Sequence, residues 1–140
     1  MKVLFDTNIL FSALYSPNSL PHRAFLKAGE EPYRALICEE SLKELRRNFL
    51  RKYPAKAPLL DRFVMFLMTA AEIVPVPDEA YPEEDLIDDP DDRLLLRAAI
   101  HEGAVYLVSG GAHFLDSGVQ DPVIMTARAF LELDGQAAIR

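Results

Sequence analysis

Lys2-Val3-Leu4-Phe5-Asp6-Thr7-Asn8-Ile9-Leu10-Phe11 is the stretch from which the fold is read. Lys2 to Phe5 reads as a short buried strand, β-branched or apolar after the lysine. Asp6-Thr7-Asn8 then offers polar capping groups, and Ile9-Leu10-Phe11 begins a helical pattern. A strand that passes through an acid straight into a helix is the first half of an α/β unit.

Outward from this segment the alternation continues. Pro17-Asn18-Ser19 is a turn, with Ser19 placed to cap a helix running to about Gly29. Ala35-Leu36-Ile37-Cys38 reads as a second strand. Glu39 to Lys52 reads as a helix, with Leu42, Leu45 and Phe49 recurring at i, i+3 and i+7. Pro54 and Pro58 separate it from a helix over about Leu59 to Ala71. Ile73-Val74-Pro75-Val76 is a third strand, and its proline favours a sheet edge. An acidic, proline-containing connection fills Pro77 to Asp89. Pro90 opens a helix through about Glu102, since proline suits a first turn. Ala104-Val105-Tyr106-Leu107-Val108 is the clearest strand, followed by a Ser109-Gly110-Gly111 loop. Val123-Ile124-Met125 is the last strand, and Thr126 caps a terminal helix to about Asp134. The pattern predicts an α/β fold, with a mainly parallel central sheet and helices on both faces. It also predicts one domain over 1–140, with no linker, repeat or low-complexity tract. Ligands on such sheets bind beyond the carboxyl ends of the strands, which directs attention to Asp6 and to Ser109-Gly110-Gly111.

Composition narrows the function classes. Half of the 140 residues are apolar and about a quarter are charged, as in ordinary globular proteins. No apolar run approaches the ~20 residues that span a bilayer, and the N-terminus is too short in apolar residues for a signal peptide. Cys38 is the sole cysteine, so no internal disulfide forms; this suits a reducing cytoplasm. Its plain reading is a small buried hydrophobe. The net charge of −7 argues against a non-specific nucleic-acid binder. The charges are unevenly spread, however. Acids crowd into Asp78 to Asp92, whereas Lys43, Arg46, Arg47, Arg51, Lys52 and Lys56 make a basic stretch. One basic face coexists with an acidic total.

Three acids stand out, each with a plainer reading beside it. Asp6 is a helix cap on the simplest view; Asn8 beside it offers an amide to orient a carboxylate. Glu44 lies mid-helix, with Arg47, Asn48 and Arg51 on its side. Spacing alone favours a surface network there over a metal ligand. Asp88-Asp89-Pro90-Asp91-Asp92 sits at a helix start, where acids meet the helix dipole favourably. Three acids aimed at one sheet edge would instead make an oxygen-rich site for Mg²⁺ or Mn²⁺. Such an ion activates water and neutralises charge on a phosphate in transit. His22, His101 and His113 leave a Ser-His-Asp arrangement open, but no Gly-x-Ser-x-Gly elbow supports one. No Walker loop or Gly-x-Gly-x-x-Gly run is present, and one cysteine makes no thiolate zinc site.

Four segments, taken in order, resemble the PIN-domain family. They are Val3-Leu4-Phe5-Asp6-Thr7-Asn8-Ile9-Leu10, Cys38-Glu39-Glu40-Ser41-Leu42-Lys43-Glu44-Leu45, the run from Asp89 to Ala99, and Leu107-Val108-Ser109-Gly110-Gly111-Ala112-His113-Phe114-Leu115. Within that family the chain looks most like bacterial and archaeal toxin components of toxin–antitoxin pairs. The resemblance implies metal binding and catalysis by Asp6, Glu44 and Asp92. It implies carboxylate orientation by Asn8 and a supporting hydroxyl from Ser109. One departure matters. The family usually carries an aspartate where this chain has Gly111, and often a further acid where it has His113. Asp116 is near enough to turn inward.

The resemblance implies a metal-dependent endoribonuclease, with RNA as substrate and an antitoxin protein as partner. Arg47, Arg51 and Lys52 are the candidates for backbone contacts. A rival reading is a PIN-fold module that binds RNA or a protein but cleaves poorly, because Gly111 lacks a carboxylate. A phosphatase of the haloacid-dehalogenase kind needs a second acid where Asn8 stands. A phospho-receiver needs a lysine that Gly110-Gly111 does not supply. Finally, Phe63-Val64-Met65-Phe66-Leu67-Met68 is apolar all round a helix. A buried core helix explains that; a single small domain leaves part of it uncovered, which predicts a homodimer or antitoxin interface.

Overall fold

A computed structural model of the protein describes residues 1–139, with side-chain surroundings for 1–133. Strands β1 (Lys2–Phe5), β2 (Arg34–Cys38), β3 (Glu72–Val74), β4 (Tyr106–Val108) and β5 (Val123–Met125) form one sheet. Its order is β3-β2-β1-β4-β5 and every neighbouring pair is parallel. Helices α1 (Thr7–Tyr15), α2 (Leu20–Ala28), α3 (Glu39–Lys52), α4 (Ala57–Ala70), α5 (Pro90–Glu102), α6 (Ala112–Leu115) and α7 (Ala127–Ile139) connect and follow the strands.

Strand periodicity sorts the core into two layers. Val3, Phe5, Ala35, Ile37 and Val108 face the helices α1, α2, α3, α4 and α7. Leu4, Leu36, Cys38 and Leu107 face α5 and α6. Both faces of the central strands are therefore apolar, as a parallel sheet covered on two sides requires. Phe5 sits in a ring cluster with Phe25 and Phe130, at 5.3 Å and 6.5 Å between centroids.

The mainly parallel sheet with helices on both faces is as expected; several element bounds differ, α7 for one running to Ile139 and not Asp134, and one helix is new. β3 ends at Val74, not Val76, since Pro75 has no N–H with which to continue a ladder. It does lie at an edge. β4 starts at Tyr106, not Ala104, because the Ala104 N–H closes the end of α5 on the Ala99 carbonyl at 2.9 Å. Gly103 makes that closure with φ +71°, a conformation that favours glycine. The short helix α6 follows Gly111 directly, where no helix was expected.

On α4, Leu60, Val64 and Leu67 are buried and Phe66 packs edge-on against Phe25 at 5.8 Å. Phe63 and Phe66 are half-buried, whereas Met65 is 68% exposed and Met68 59%. One side of this helix thus belongs to the core, and the open side carries Met65 and Met68 among Asp61, Arg62 and Thr69. Among the described residues no helix is long and apolar enough to cross a membrane.

Candidate functional site

The sheet order places a reversal at β1. The chain steps from β1 to β2 and β3 on one side, then to β4 and β5 on the other. Crevices form beyond the carboxyl ends of strands at such a reversal. Asp6 leaves β1 there, and Ser109 leaves β4 beside it, since the Asp6 N–H bonds the Val108 carbonyl at 3.0 Å. Asp6 is 6% exposed and Ser109 fully buried. The Ser109 hydroxyl donates to Asp6 Oδ2 at 2.7 Å and accepts from the Gly111 N–H at 3.1 Å. The Asp6 carboxylate also faces the backbone N–H groups of Thr7 and Asn8, without closing a cap hydrogen bond.

Glu44 reaches the same crevice from α3. That helix starts immediately after β2, so its second turn stands over the sheet edge. The Thr7 hydroxyl donates to Glu44 Oε2 at 3.3 Å, joining the start of α1 to α3. Asp92 comes from the first turn of α5. Asp89 is the cap of that helix and accepts from the Asp91 N–H at 2.8 Å. Capping is thereby done by Asp89, and Asp92 is left to turn toward the crevice.

Asp6, Glu44 and Asp92 line one small cleft, together with Thr7, Arg47 and Asp91. Its open volume of about 40 Å³ admits an ion or a water or two. Burial pushes the Asp92 carboxyl up to about 6, and the charges of Asp6, Asp89, Glu44 and Asp91 push the same way. Asp6 is also raised, by burial against the opposing Ser109 hydrogen bond. Glu44 is raised by burial, with Asp91 and Asp6 adding to the effect and Thr7 and Arg47 opposing it. Asp92 thus feels the charges of both Asp6 and Glu44, and Glu44 that of Asp6. Among the described residues, Arg47 is the only basic side chain that lines the cleft. Hard oxygen donors and uncompensated negative charge suit a Mg²⁺ or Mn²⁺ ion. Among the described residues, however, no group of three acids, histidines or cysteines is already arranged as a metal site. The cleft has the chemistry for an ion, and the carboxylates must shift to close around one.

The remaining sequence candidates are dispersed. Asn8 is exposed, and no side-chain hydrogen bond ties it to Asp6. Gly111 caps α6 with φ −81°, and an added Cβ there would meet only Ser109 Oγ, at 3.6 Å. His113 and Asp116 are exposed and line a neighbouring cavity with Asp88, Asp89 and Asp92. Arg51 donates to Asn48 Oδ1 at 3.3 Å, outside the cleft. The Lys52 ammonium lies over the rings of Phe11 and Tyr53. Sequence reasoning passed over Thr7 as anything but a cap, and over Glu40 and Ser41, which also line the cleft. Glu40 stands four residues before Glu44, so helical spacing already placed them on one face. Cys38 lines the cleft too, but its thiol is raised by burial and stays protonated.

Comparison with known proteins accords with this arrangement. Among curated proteins, none matches the chain. Of the solved structures, VapBC2 from Rickettsia felis, bound to a DNA fragment from its promoter, is similar with a TM-score of 0.68. The two share 20% identity, over 89% of this chain and 97% of that one; at that identity the likeness is one of fold. The family model described as PIN domain matches residues 2–113. With the sheet reversal, the three converging acids and that match over most of its length, the chain belongs to the PIN domain family.

Proposed function

We propose that the protein is a divalent-metal-dependent ribonuclease of the PIN class, acting in the cytoplasm as the toxin of a toxin–antitoxin pair. The observation that carries this reading is the convergence of Asp6, Glu44 and Asp92 on one cleft, where the charges of Asp6 and Glu44 add to the burial that raises Asp92. Three acids with a single arginine among them keep a net negative charge, which favours a bound cation. A bound Mg²⁺ or Mn²⁺ would supply a polarised water and charge neutralisation at the phosphate. The residues of the chain position everything else. Ser109 fixes the Asp6 carboxylate, and Thr7 fixes that of Glu44. Arg47, at the cleft, is placed to take the charge of a phosphate oxygen. Arg51 and Lys52 continue a basic face along α3 for the strand beyond it. The resemblance to toxin components and the fold shared with VapBC2 support an antitoxin protein as partner.

The test is cleavage of a mixed RNA pool with Mn²⁺, alongside Mn²⁺ affinity by calorimetry. The expected result is metal-dependent cleavage that Asp6→Asn lowers at least about 100-fold. Cleavage by the parent in EDTA, or undiminished cleavage by Asp6→Asn, would overturn the reading.

Gly111 favours a second reading, a PIN-fold module that binds RNA or protein and cleaves weakly. Each missing carboxylate removes a ligand oxygen and a charge. With φ at −81° and only ordinary contacts for a Cβ, Gly111→Asp strains nothing. If the cleft lacks one acid, this substitution tightens Mn²⁺ and speeds cleavage. The new carboxylate also has a rival task, since position 111 is the N-cap of α6. No gain in either measurement would show the fourth acid to be dispensable.

A further inference from the structure

Helices α1 and α3 run side by side in register from the acid cleft. Thr7 meets Glu44 at 3.3 Å, the Phe11 ring lies 6.1 Å from Phe49, and Tyr15 lies 5.7 Å from Tyr53. From Phe11 to Tyr15 and from Phe49 to Tyr53 the two helices advance by the same four residues. Nine residues separate Asp6 from Tyr15 and Glu44 from Tyr53, so the tyrosines stand about 13 Å from the acids at helical rise.

The far end of this track is unlike the near end. Tyr15 and Tyr53 are stacked, with planes 27° apart. Tyr15 is 62% exposed although it is a large ring at the end of a helix whose other side is core. The Lys52 ammonium lies 5.8 Å and the Lys56 ammonium 5.4 Å from the Tyr53 centroid. Cavities of about 350 Å³ and 310 Å³ flank the pair, at the lower end of those that take a small ligand. Aromatic faces beside ammonium groups suit a chain of planar bases on an anionic backbone. Exposed ammoniums here stand out against a total charge of −7. Protein partners have a more apolar surface in Met65 and Met68 of α4.

We propose that the Tyr15–Tyr53 pair, with Lys52 and Lys56, is a base-stacking subsite for single-stranded RNA. It rests on the nuclease reading only for its place in the reaction: it grips the strand a few nucleotides from the phosphate held at the acid cleft. Stacking accepts every base, because each has a π-face. The subsite therefore favours unpaired RNA over duplex without selecting its sequence.

The experiment measures fluorescence polarisation in EDTA with two labelled probes. One is a mixed-sequence single-stranded RNA dodecamer; the other is an abasic oligomer with the same phosphates. Tyr15→Ala is expected to weaken the RNA about 5- to 100-fold, as loss of one stacked base does, and to leave the abasic probe unchanged. Tyr15→Phe should bind as the parent does, and Lys52→Ala should weaken both probes. Because Tyr15 is mostly exposed, its replacement leaves the core intact. Equal weakening of both probes by Tyr15→Ala, no weakening of either, or a parent without measurable RNA affinity overturns the subsite. So does a loss of self-association in Tyr15→Ala with RNA affinity intact, which assigns the tyrosines to a protein contact. Cleavage assays separate the two readings. Tyrosine-dependent binding by a parent that never cleaves sinks the nuclease reading alone. Cleavage by Tyr15→Ala at the parental KM sinks the subsite alone.

Discussion

Glu84 and Asp92 are both carboxylates withdrawn from water, and their surroundings drive them in opposite directions. Glu84, in the turn at Pro82–Leu86, is 4% exposed. It takes two hydrogen bonds from Arg97, at 3.0 Å to Oε2 and 2.9 Å to Oε1, and a third from the Tyr81 N–H at 2.6 Å. Arg97 holds it below the usual carboxylate range, against the effect of burial. The same guanidinium donates to the Pro77 and Asp78 carbonyls, so one arginine pins the acidic connection to α5. Asp92, on the same helix as Arg97, has no such partner among the described residues and is pushed up to about 6. The difference shows what a cation does to a desolvated acid. Where the protein supplies one, the acid becomes part of the scaffold; where it does not, the acid remains able to take one from solution.

The largest expected effect breaks the neutralised side of the comparison. Glu84→Ala leaves Arg97 without its carboxylate and frees the Pro77–Asp89 connection. It should lower the apo protein's Tm by roughly 5–10 °C at pH 7. Differential scanning fluorimetry checks this, and an unchanged Tm would make the ion pair an ornament of the surface. The effect should fade in acid. Glu84 has a lowered folded pKa, so its contribution is present above its ordinary value of 4.5 and is lost as the pH falls through the folded value.

Next in size is the response to metal. Millimolar Mn²⁺ should raise the parent's Tm by roughly 3–5 °C, since an ion that binds only the folded state stabilises it. Glu84→Gln should retain that rise, and Asp6→Asn should lose most of it. An equal rise in all three would place the ion elsewhere.

Ser109→Ala removes the hydroxyl that donates to Asp6 and accepts from Gly111. A loss of roughly 1 kcal/mol is expected for this buried link. The Asp6 carboxyl should titrate at higher pH still, because the hydrogen bond now opposes the effect of burial. Carboxyl NMR resolves this; a downward move would contradict the assigned role of Ser109.

The smallest effect has the opposite sign. Asp92 is raised in the folded state, so the native protein binds its proton more tightly than the unfolded chain does between about pH 4 and 6. Without metal, stability from this group rises as the pH falls through that window, and its penalty is complete above pH 6. Asp92→Asn should therefore raise the apo Tm at pH 7 by roughly 1–3 °C, with the gap closing near pH 4. Saturating Mn²⁺ should reverse the order of the two proteins. If Asp92→Asn instead lowers the Tm in EDTA at pH 7, the carboxylate is already compensated.

Legibility varied with the range of the cause. Lys2–Phe5 and Glu39–Lys52 were read with their observed bounds, because apolar run, cap and periodicity are local. The edge position of β3 was legible from Pro75, though its two-residue overreach was not. At the site, Asp6 stood out from its place after β1. Glu44 and Asp92 looked like ordinary surface and dipole acids from spacing, and the family resemblance was what singled them out. Thr7 carried no signal beyond capping, since its partner is thirty-seven positions away.

Local pattern along the chain dictated the alternation of strands and helices, the two-sided burial of the central strands and the single acid at the β1–α1 junction. These follow from patterns within a turn or a pleat. Which acids meet was settled by the assembly of the sheet. The reversal of strand order at β1 brings Ser109 to Asp6, α3 lays Glu44 over Thr7, and Arg97 is spent on Glu84 and not on Asp92. The physical reason is distance. Burial and Coulomb interaction act through space over a few ångströms, and side chains a hundred positions apart become neighbours only when the sheet is assembled.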